Sequence, residues 1–412
     1  MLFYTMNTSP ANPAPQPEGN PFGSPMYLMA KPAGAACNLR CRYCYYLEKG
    51  DPAARQLMDC ATLELFIRQY IESQTVGEVM FTWHGGEAML RPVSFYRRAI
   101  ELQRKYAAGR TVLNCLQTNG TLITEEWARF LRSEGWLVGV SIDGPQEFHD
   151  EYRRAAGGKP TFSSVMRGIR LLQRHGVEWN AMAVGNDFNV LYPEDFYRFF
   201  KSIGCRYIQF TPIVERRRPD GHLCSVAEHG ELTPHSVTAA QWGDFLCRLY
   251  DEWVREDVGT VFVQIFDATL AGWVGAMPGL CSMAPFCGHA GVIEHNGDIY
   301  SCDHFVFPAY RLGNIHDTSI IDTMYSPAQI AFGRAKRDSL PKQCLECRFT
   351  HICNGECPKN RFAVTPDGEP GLNWLCEGYR RFFTHVAADM DFMAAQLRAG
   401  LPPADIMRLK NK

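Results

Sequence analysis

Eleven of the chain's sixteen cysteines stand in short-spaced groups, and that spacing limits what the chain can fold around. Cys37, Cys41 and Cys44 read C-x3-C-x2-C. Eight more, Cys281, Cys287, Cys302, Cys344, Cys347, Cys353, Cys357 and Cys376, fall within 96 positions. The N-terminus carries no basic start followed by an apolar core, so no export signal is expected. The expected compartment is the cytoplasm, where clustered thiols serve metals rather than disulfides. Three thiolates in eight residues can hold one [4Fe-4S] cube while its fourth iron stays open to a small ligand. A zinc site short of one ligand is the alternative. Eight thiolates suffice for two four-cysteine sites, and there spacing alone leaves zinc and iron–sulfur both open. Cys60, Cys115, Cys205, Cys224 and Cys247 fit no group and read as buried or partly buried small side chains.

The rest of the chain supplies an α/β frame. Strand patterns lie at Met26–Lys31, Glu78–His84, Thr111–Gln117, Trp136–Ile142, Trp179–Val184 and Tyr207–Ile213. Helix patterns lie between them, at Ala61–Ser73, Pro92–Tyr106, Glu125–Ser133, Ser163–His175 and Pro193–Ser202, with Thr62 and Thr124 as candidate caps. Six such units imply parallel strands with right-handed crossovers, closed into a barrel or left as an open sheet. Each of the first four strands runs into a loop: the cysteine loop, Gly85-Gly86-Glu87, Gln117-Thr118-Asn119-Gly120 and Ser141-Ile142-Asp143-Gly144. In α/β barrels such loops at the carboxyl ends of the strands carry the chemistry.

Residues 1–24, rich in Pro, Asn, Ser and Gly, read as a mobile tail, and 25–256 as the α/β domain with a linking helix over Gln241–Glu256. Residues 257–384 read as a cysteine-rich domain with few helical patterns, and 385–412 as a helical tail, Phe382–Leu397 forming the terminal helix. Asn296-Gly297 between apolar pairs signals a hairpin. A net charge of −2 without a long Lys/Arg run argues against nucleic acid. Val261–Leu280 is interrupted by Gln264 and Asp267, so no membrane span is expected.

These motifs resemble the radical S-adenosylmethionine (SAM) enzymes. C-x3-C-x2-C with Tyr43 before its last cysteine is their signature, and Gly85-Gly86-Glu87 resembles the glycine-rich motif that receives the amino group of SAM, with Ala88 in place of the usual proline. The order of the eight later cysteines is similar to the twin-cluster SPASM domain. That resemblance implies one auxiliary [4Fe-4S] cluster on Cys281, Cys287, Cys302 and Cys357, and a second on Cys344, Cys347, Cys353 and Cys376. Phe81 to Glu87, Gln117 to Leu122, Val140 to Pro145, Cys287 to Gly291, Tyr300 to Phe305 and Cys353 to Phe362 all resemble the anaerobic sulfatase-maturating enzymes, over about Pro25 to Met407.

The resemblance implies a partial (β/α)6 radical SAM barrel, then a SPASM domain with two auxiliary clusters and a C-terminal helix. It implies three [4Fe-4S] clusters and SAM. It implies oxidation of a cysteine or serine, in Cys/Ser-x-Pro-x-Arg of an unfolded or nascent sulfatase, to Cα-formylglycine without oxygen. A 5′-deoxyadenosyl radical would take a Cβ hydrogen, an auxiliary cluster the second electron, and Asp303 the proton. Tyr43, Gly85, Gly86, Glu87, Gln117, Asn119, Ser141 and Arg153 would line the SAM site, and Tyr46 and His84 would meet the peptide. A low-potential carrier such as flavodoxin or ferredoxin would supply electrons to a monomer. The alternatives are another SPASM peptide maturase, forming thioether or carbon–carbon links, and a non-enzymatic cysteine-rich metal or electron-transfer protein. The 24-residue tail is too short for the added N-terminal domain that cross-linking maturases often carry.

Overall fold

The computed structural model describes residues 25–50, 57–226 and 228–411, so the expected tail at 1–24 lies outside the described residues. Six parallel strands stand side by side in chain order: β1 (Tyr27–Lys31), β2 (Glu78–Trp83), β3 (Thr111–Thr118), β4 (Leu137–Ser141), β5 (Trp179–Gly185) and β6 (Tyr207–Pro212). The helices crossing between them are α1 (Cys60–Glu72), α2 (Val93–Tyr106), α3 (Glu125–Ser133), α4 (Gln146–Tyr152), α5 (Phe162–His175) and α6 (Pro193–Ser202). Together they make the expected partial barrel.

Strand alternation explains why this layer is stable. Val79, Phe81 and Trp83 of β2 are buried, and Trp83 packs edge-on against Phe66 of α1 and Phe95 and Tyr96 of α2. A side chain so buried contributes about 1.5–3 kcal/mol. The intervening residues face the other way, toward the barrel lumen. Thr124 caps α3, its hydroxyl accepting from Trp127 N at 3.3 Å. Thr62 does not cap α1. Asp59 does, accepting from Thr62 N at 2.7 Å, because an aspartate three residues upstream reaches the orphan amide first.

The sheet does not end with β6. After the short pair β7 (Arg216–Arg217) and β8 (Glu231–Leu232) and helix α7 (Ala239–Glu256), β9 (Phe262–Val263) extends it beside β6 and leads into α8 (Gln264–Trp273). On the opposite edge β10 (Ala290–Glu294) pairs parallel with β1, Lys31 opposite Glu294. The expected hairpin follows, with Gly297 at φ +86° between β10 and β11 (Asp298–Tyr300), and β12 (Arg311–Asn314) completes ten strands.

The cysteine-rich part is more helical than its sequence indicates. It contains α8, α9 (Ile320–Met324), α10 (Pro327–Asp338) and single turns α11 (Lys342–Leu345) and α12 (Thr350–Cys353). α8 lies inside an apolar run without a polar face to give it period, and α10 gathers its charged residues at its C-terminal end. Beyond the small pair β13 (Ala363–Val364) and β14 (Pro370–Leu372), the terminal helix α13 starts at Cys376, not Phe382, and runs to Arg398 before α14 (Ile406–Lys410). α13 crosses α7 at two glycines. A Cβ on Gly378 would stand 2.2 Å from Ala239 O, and one on Gly243 2.8 Å from Gly378 Cα.

Gly378→Ala should therefore force the helices apart and destabilise the protein by about 1–3 kcal/mol, read as a lower urea midpoint by far-ultraviolet circular dichroism. An unchanged midpoint would mean that the crossing relaxes freely.

Candidate functional site

The loop after β1 is held from one side. Arg40 N donates to Arg154 O at 2.8 Å and Arg42 N to Tyr152 O at 3.0 Å, so Cys37 to Cys44 lie along the segment that follows α4. That alignment brings Tyr43 to Arg153, whose Nη1 donates to the Tyr43 hydroxyl at 2.6 Å. The Tyr43 hydroxyl in turn donates to Asp143, which stands 3.8 Å from Arg153 and accepts from Val184 N at 3.1 Å. Asp143 thus does more than order its own Asp-Gly turn. It ties β4, β5 and the cysteine loop together. Arg153 is buried, not a surface charge, and its Nε has no partner among the described residues. A buried guanidinium with a donor to spare suits a carboxylate ligand.

Burial pushes the Cys37 thiol up to about 12 and the Cys41 thiol to about 11, and it also raises Cys44. Thiols so placed become thiolates only against a metal, which deprotonates a coordinating thiol. The donor set and its burial therefore fit an iron–sulfur cluster.

The glycine-rich loop packs against the same backbone. A Cβ on Gly86 would stand 2.2 Å from Ala36 O, and Gly85 has φ +134°. Only glycine permits that approach. Glu87 is turned into the protein: its carboxylate accepts from Met89 N at 2.9 Å, the Thr118 hydroxyl at 2.8 Å and Asn119 N at 2.8 Å. It pins the loop after β2 to the end of β3. Asn119 donates to Asn38 Oδ1 at 2.8 Å, inside the cysteine loop. Gln117 Nε2 donates to Ser141 Oγ at 2.9 Å across β3 and β4, in the space left by Gly139. Gly85, Gly86, Glu87, Gln117, Asn119, Ser141 and Arg153 thus surround the cysteine loop at the strand carboxyl ends.

The eight later cysteines fall into two groups in space. Cys302 is raised by burial and by the charges of Cys357, Cys281 and Cys287. Cys353 is raised by burial and feels Cys376 and Cys344, and Cys376 feels Cys344 and Cys347. Cys344, Cys347, Cys353 and Cys376 line one cavity of about 780 Å³. Four thiols around one cavity suit a cluster. Of the ungrouped cysteines, Cys115, Cys205 and Cys247 are buried and Cys224 is half-buried, as expected. Cys60 is exposed, because it opens α1 on its solvent side.

Asp303 joins the two halves. Its carboxylate meets Lys31 Nζ at 2.5 Å and accepts from the Tyr45 hydroxyl at 2.5 Å. Burial pushes this carboxyl up, but the neighbouring basic groups, Lys31 first, together outweigh burial and hold it well below the usual carboxylate range. Lys31 Nζ also stands 3.3 Å from His84 Nδ1 and 4.2 Å above the Tyr46 ring. Burial, helped by Lys31, pushes His84 down to about 3. Gly85 N donates to His84 Nδ1 at 2.7 Å, so the neutral ring carries its proton on Nε2. Tyr46 is buried and donates its hydroxyl to Glu294. Sequence reasoning missed Lys31, Tyr45 and Glu294. The signal available was a charged residue closing an apolar strand, at Lys31 and again at Glu294.

The comparisons agree with this geometry. Residues 32–200 match the Radical SAM superfamily and 286–348 an iron-sulfur cluster-binding domain. The chain is 61% identical over 396 residues to a serine-type anaerobic sulfatase-maturating enzyme of Bacteroides thetaiotaomicron, covering 94% of this chain and 96% of that one. It is 31% identical over 377 residues to a cysteine-type enzyme of Clostridium novyi, covering 90% and 97%. The solved structure of native anSMEcpe with bound AdoMet and Cp18Cys peptide superposes with a TM-score of 0.81 at 29% identity, covering 90% of this chain and all of that one. Streptococcus suis SuiB, at 15% identity and a TM-score of 0.58 over 81% of this chain and 73% of SuiB, shares the fold. Among the described residues no helix is long and apolar enough to cross a membrane. By its fold, its cysteine loops and these similarities, the chain belongs to the anaerobic sulfatase-maturating enzymes of the radical SAM superfamily.

Proposed function

We propose that this enzyme oxidises a serine, and also a cysteine, within Ser/Cys-x-Pro-x-Arg of an unfolded sulfatase to Cα-formylglycine. The observation that carries the reading is Asp303: a carboxylate beside Cys302, in the auxiliary-cysteine part, that reaches across to Lys31 of β1 and to Tyr45, next to Cys44. The 61% identity to a serine-type enzyme supports serine as the first substrate.

When bound, SAM and three [4Fe-4S] clusters supply a hydrogen-abstracting radical and a one-electron sink. Cys37, Cys41 and Cys44 would hold the first cluster. Cys281, Cys287, Cys302 and Cys357 would hold the second, and Cys344, Cys347, Cys353 and Cys376 the third. Arg153 would pair with the SAM carboxylate, and the backbone of Gly85 and Gly86 would meet its ammonium group, with Glu87 pinning that loop to the end of β3. Tyr43, Gln117, Asn119 and Ser141 would complete its pocket.

The substrate loses two hydrogens overall: one from Cβ as an atom, the other from the side-chain hydroxyl or thiol as a proton, with one electron passed on. Asp303, kept charged, is the group placed to receive that proton. His84 offers its Nε2 proton to the peptide, while Tyr46, with its hydroxyl on Glu294, lies under the Lys31 ammonium group. A serine then gives the aldehyde directly, and a cysteine gives a thioaldehyde that water hydrolyses. A monomer in the cytoplasm, reduced by flavodoxin or ferredoxin, completes the reading.

Anaerobic incubation with SAM, reductant and a Ser-x-Pro-x-Arg peptide should yield 5′-deoxyadenosine and a peptide lighter by two hydrogens in intact mass. Deoxyadenosine with an unaltered peptide would reject this substrate. Cys37, Cys41 and Cys44 replaced together by alanine should abolish SAM cleavage and remove about one third of the iron; retained cleavage would disprove the assignment. Asp303→Asn should lower aldehyde formation about 100-fold while SAM is still cleaved, and full aldehyde yield in that variant would remove Asp303 from the proton step.

A further inference from the structure

We infer that Lys31 is a positioning residue for the reaction: it fixes Asp303 in the orientation that the proton transfer uses. The inference rests on the reading of Asp303 as proton acceptor.

Lys31 has no exposed surface. A lysine loses its hydration there and remains only where a partner repays the cost. Two carboxylates are within its neighbourhood. Glu294 stands opposite it in register on β10, and Asp303 lies on the loop after β11. Register alone favours Glu294. Glu294, however, takes the Tyr46 hydroxyl and stands 3.7 Å from His295 Nδ1. Lys31 instead closes to 2.5 Å on Asp303.

The remaining contacts hold the ammonium group from other sides. His84 Nδ1 lies 3.3 Å away and the Tyr46 ring lies beneath at 4.2 Å. Each neighbour also has its own anchor, His84 through Gly85 N and Tyr46 through Glu294. The lysine is therefore held by groups that are themselves held, and it presents one direction to Asp303. That is the arrangement a rigid acceptor requires.

The two oxygens of Asp303 are unequal as a result. Oδ1 faces a buried ammonium, and Oδ2 faces a phenol hydroxyl. A neutral phenol yields its place to a substrate hydroxyl or thiol more readily than an ion pair breaks. The geometry leaves Oδ2 as the accepting atom and Oδ1 as the anchor. No atom or electron is exchanged with Lys31 itself. Its part is to hold the carboxylate aimed while the proton passes from substrate to Oδ2.

The test uses the fully reconstituted enzyme with SAM, reductant and the Ser-x-Pro-x-Arg peptide, and counts 5′-deoxyadenosine formed per aldehyde. Lys31→Met should raise that ratio at least about tenfold. Lys31→Arg, which keeps the charge, should restore most of the coupling. In an Asp303→Asn background, Lys31→Met should add no further loss, since the group it positions is already gone. Iron and sulfide content of each variant reports whether the clusters are retained, and Lys31→Arg keeps the test open where Lys31→Met fails to assemble. An unchanged ratio in Lys31→Met, or uncoupling in Lys31→Arg as severe as in Lys31→Met, would overturn the inference. So would a further multiplicative loss in the double variant, which would show Lys31 acting apart from Asp303. If Asp303→Asn alone leaves coupling intact, the proton-acceptor reading fails first, and the two failures are told apart.

Discussion

The parallel pairing of β1 with β10 is the contact on which the site depends. β1 hydrogen-bonds to β2 on one side and to β10 on the other, so two segments about 210 residues apart share a single strand as their reference. The loop leaving β1 carries Cys37, Cys41 and Cys44. The hairpin built on β10 leads to Cys302 and Asp303. A parallel register fixes the height of one loop against the other, because slipping by one residue would turn every side chain of β10 to the opposite face. Lys31 and Glu294 then end the two strands at one level. Asp303 can reach Lys31 only while that register holds.

Around this reference the molecule spends much of its stability on buried charge. Arg153 with Asp143 and Tyr43, Lys31 with Asp303, and Glu87 with its three donors are all largely out of water. Removing one partner of such a pair leaves an uncompensated charge and is strongly destabilising, whereas a well-packed apolar substitute is often no worse than the intact pair. Stability alone does not account for three such groups around one mouth. Under the proposed function they are understandable as preorganisation, with Arg153 and Asp303 already oriented toward ligand and substrate and Glu87 holding the glycine-rich loop in place. The neutral state of His84 belongs to the same account, since a second cation beside Lys31 would compete with it for Asp303.

Much of the barrel was legible in the sequence because its signals are local. All six strands and the five helices between them lie within a residue or two of where the apolar spacing puts them, and α3 and α6 agree at both ends. The Asn-Gly hairpin was legible for the same reason. What escaped was nonlocal or lacked period. Nothing near Ala290 indicates that β10 will join β1, because that pairing is decided by the closure of a chain segment hundreds of residues long. α4 is a single short helix, and α8 has no polar face. The cysteine motifs named the candidate ligands, and resemblance rather than spacing suggested how the later eight divide. In the fold Cys357 comes beside Cys302 only once the chain between them has turned back.

Lys31 shows why the remaining site residues were harder to read. In the sequence it is the polar end of Tyr-Leu-Met-Ala-Lys, which looks like a strand emerging into water. Its actual surroundings are assembled from β2, the segment after Cys44, and the loop after β11, and none of these is near it in the chain. The same holds for Tyr45 and Glu294. Each is unremarkable by type and spacing, and each gains its chemistry from a partner that the β1–β10 register brings within reach. A site made by one strand pairing is therefore only as readable as that pairing. The candidate ligand cysteines are repeated and closely spaced, so they announce themselves, while the single residues between them emerge from the fold.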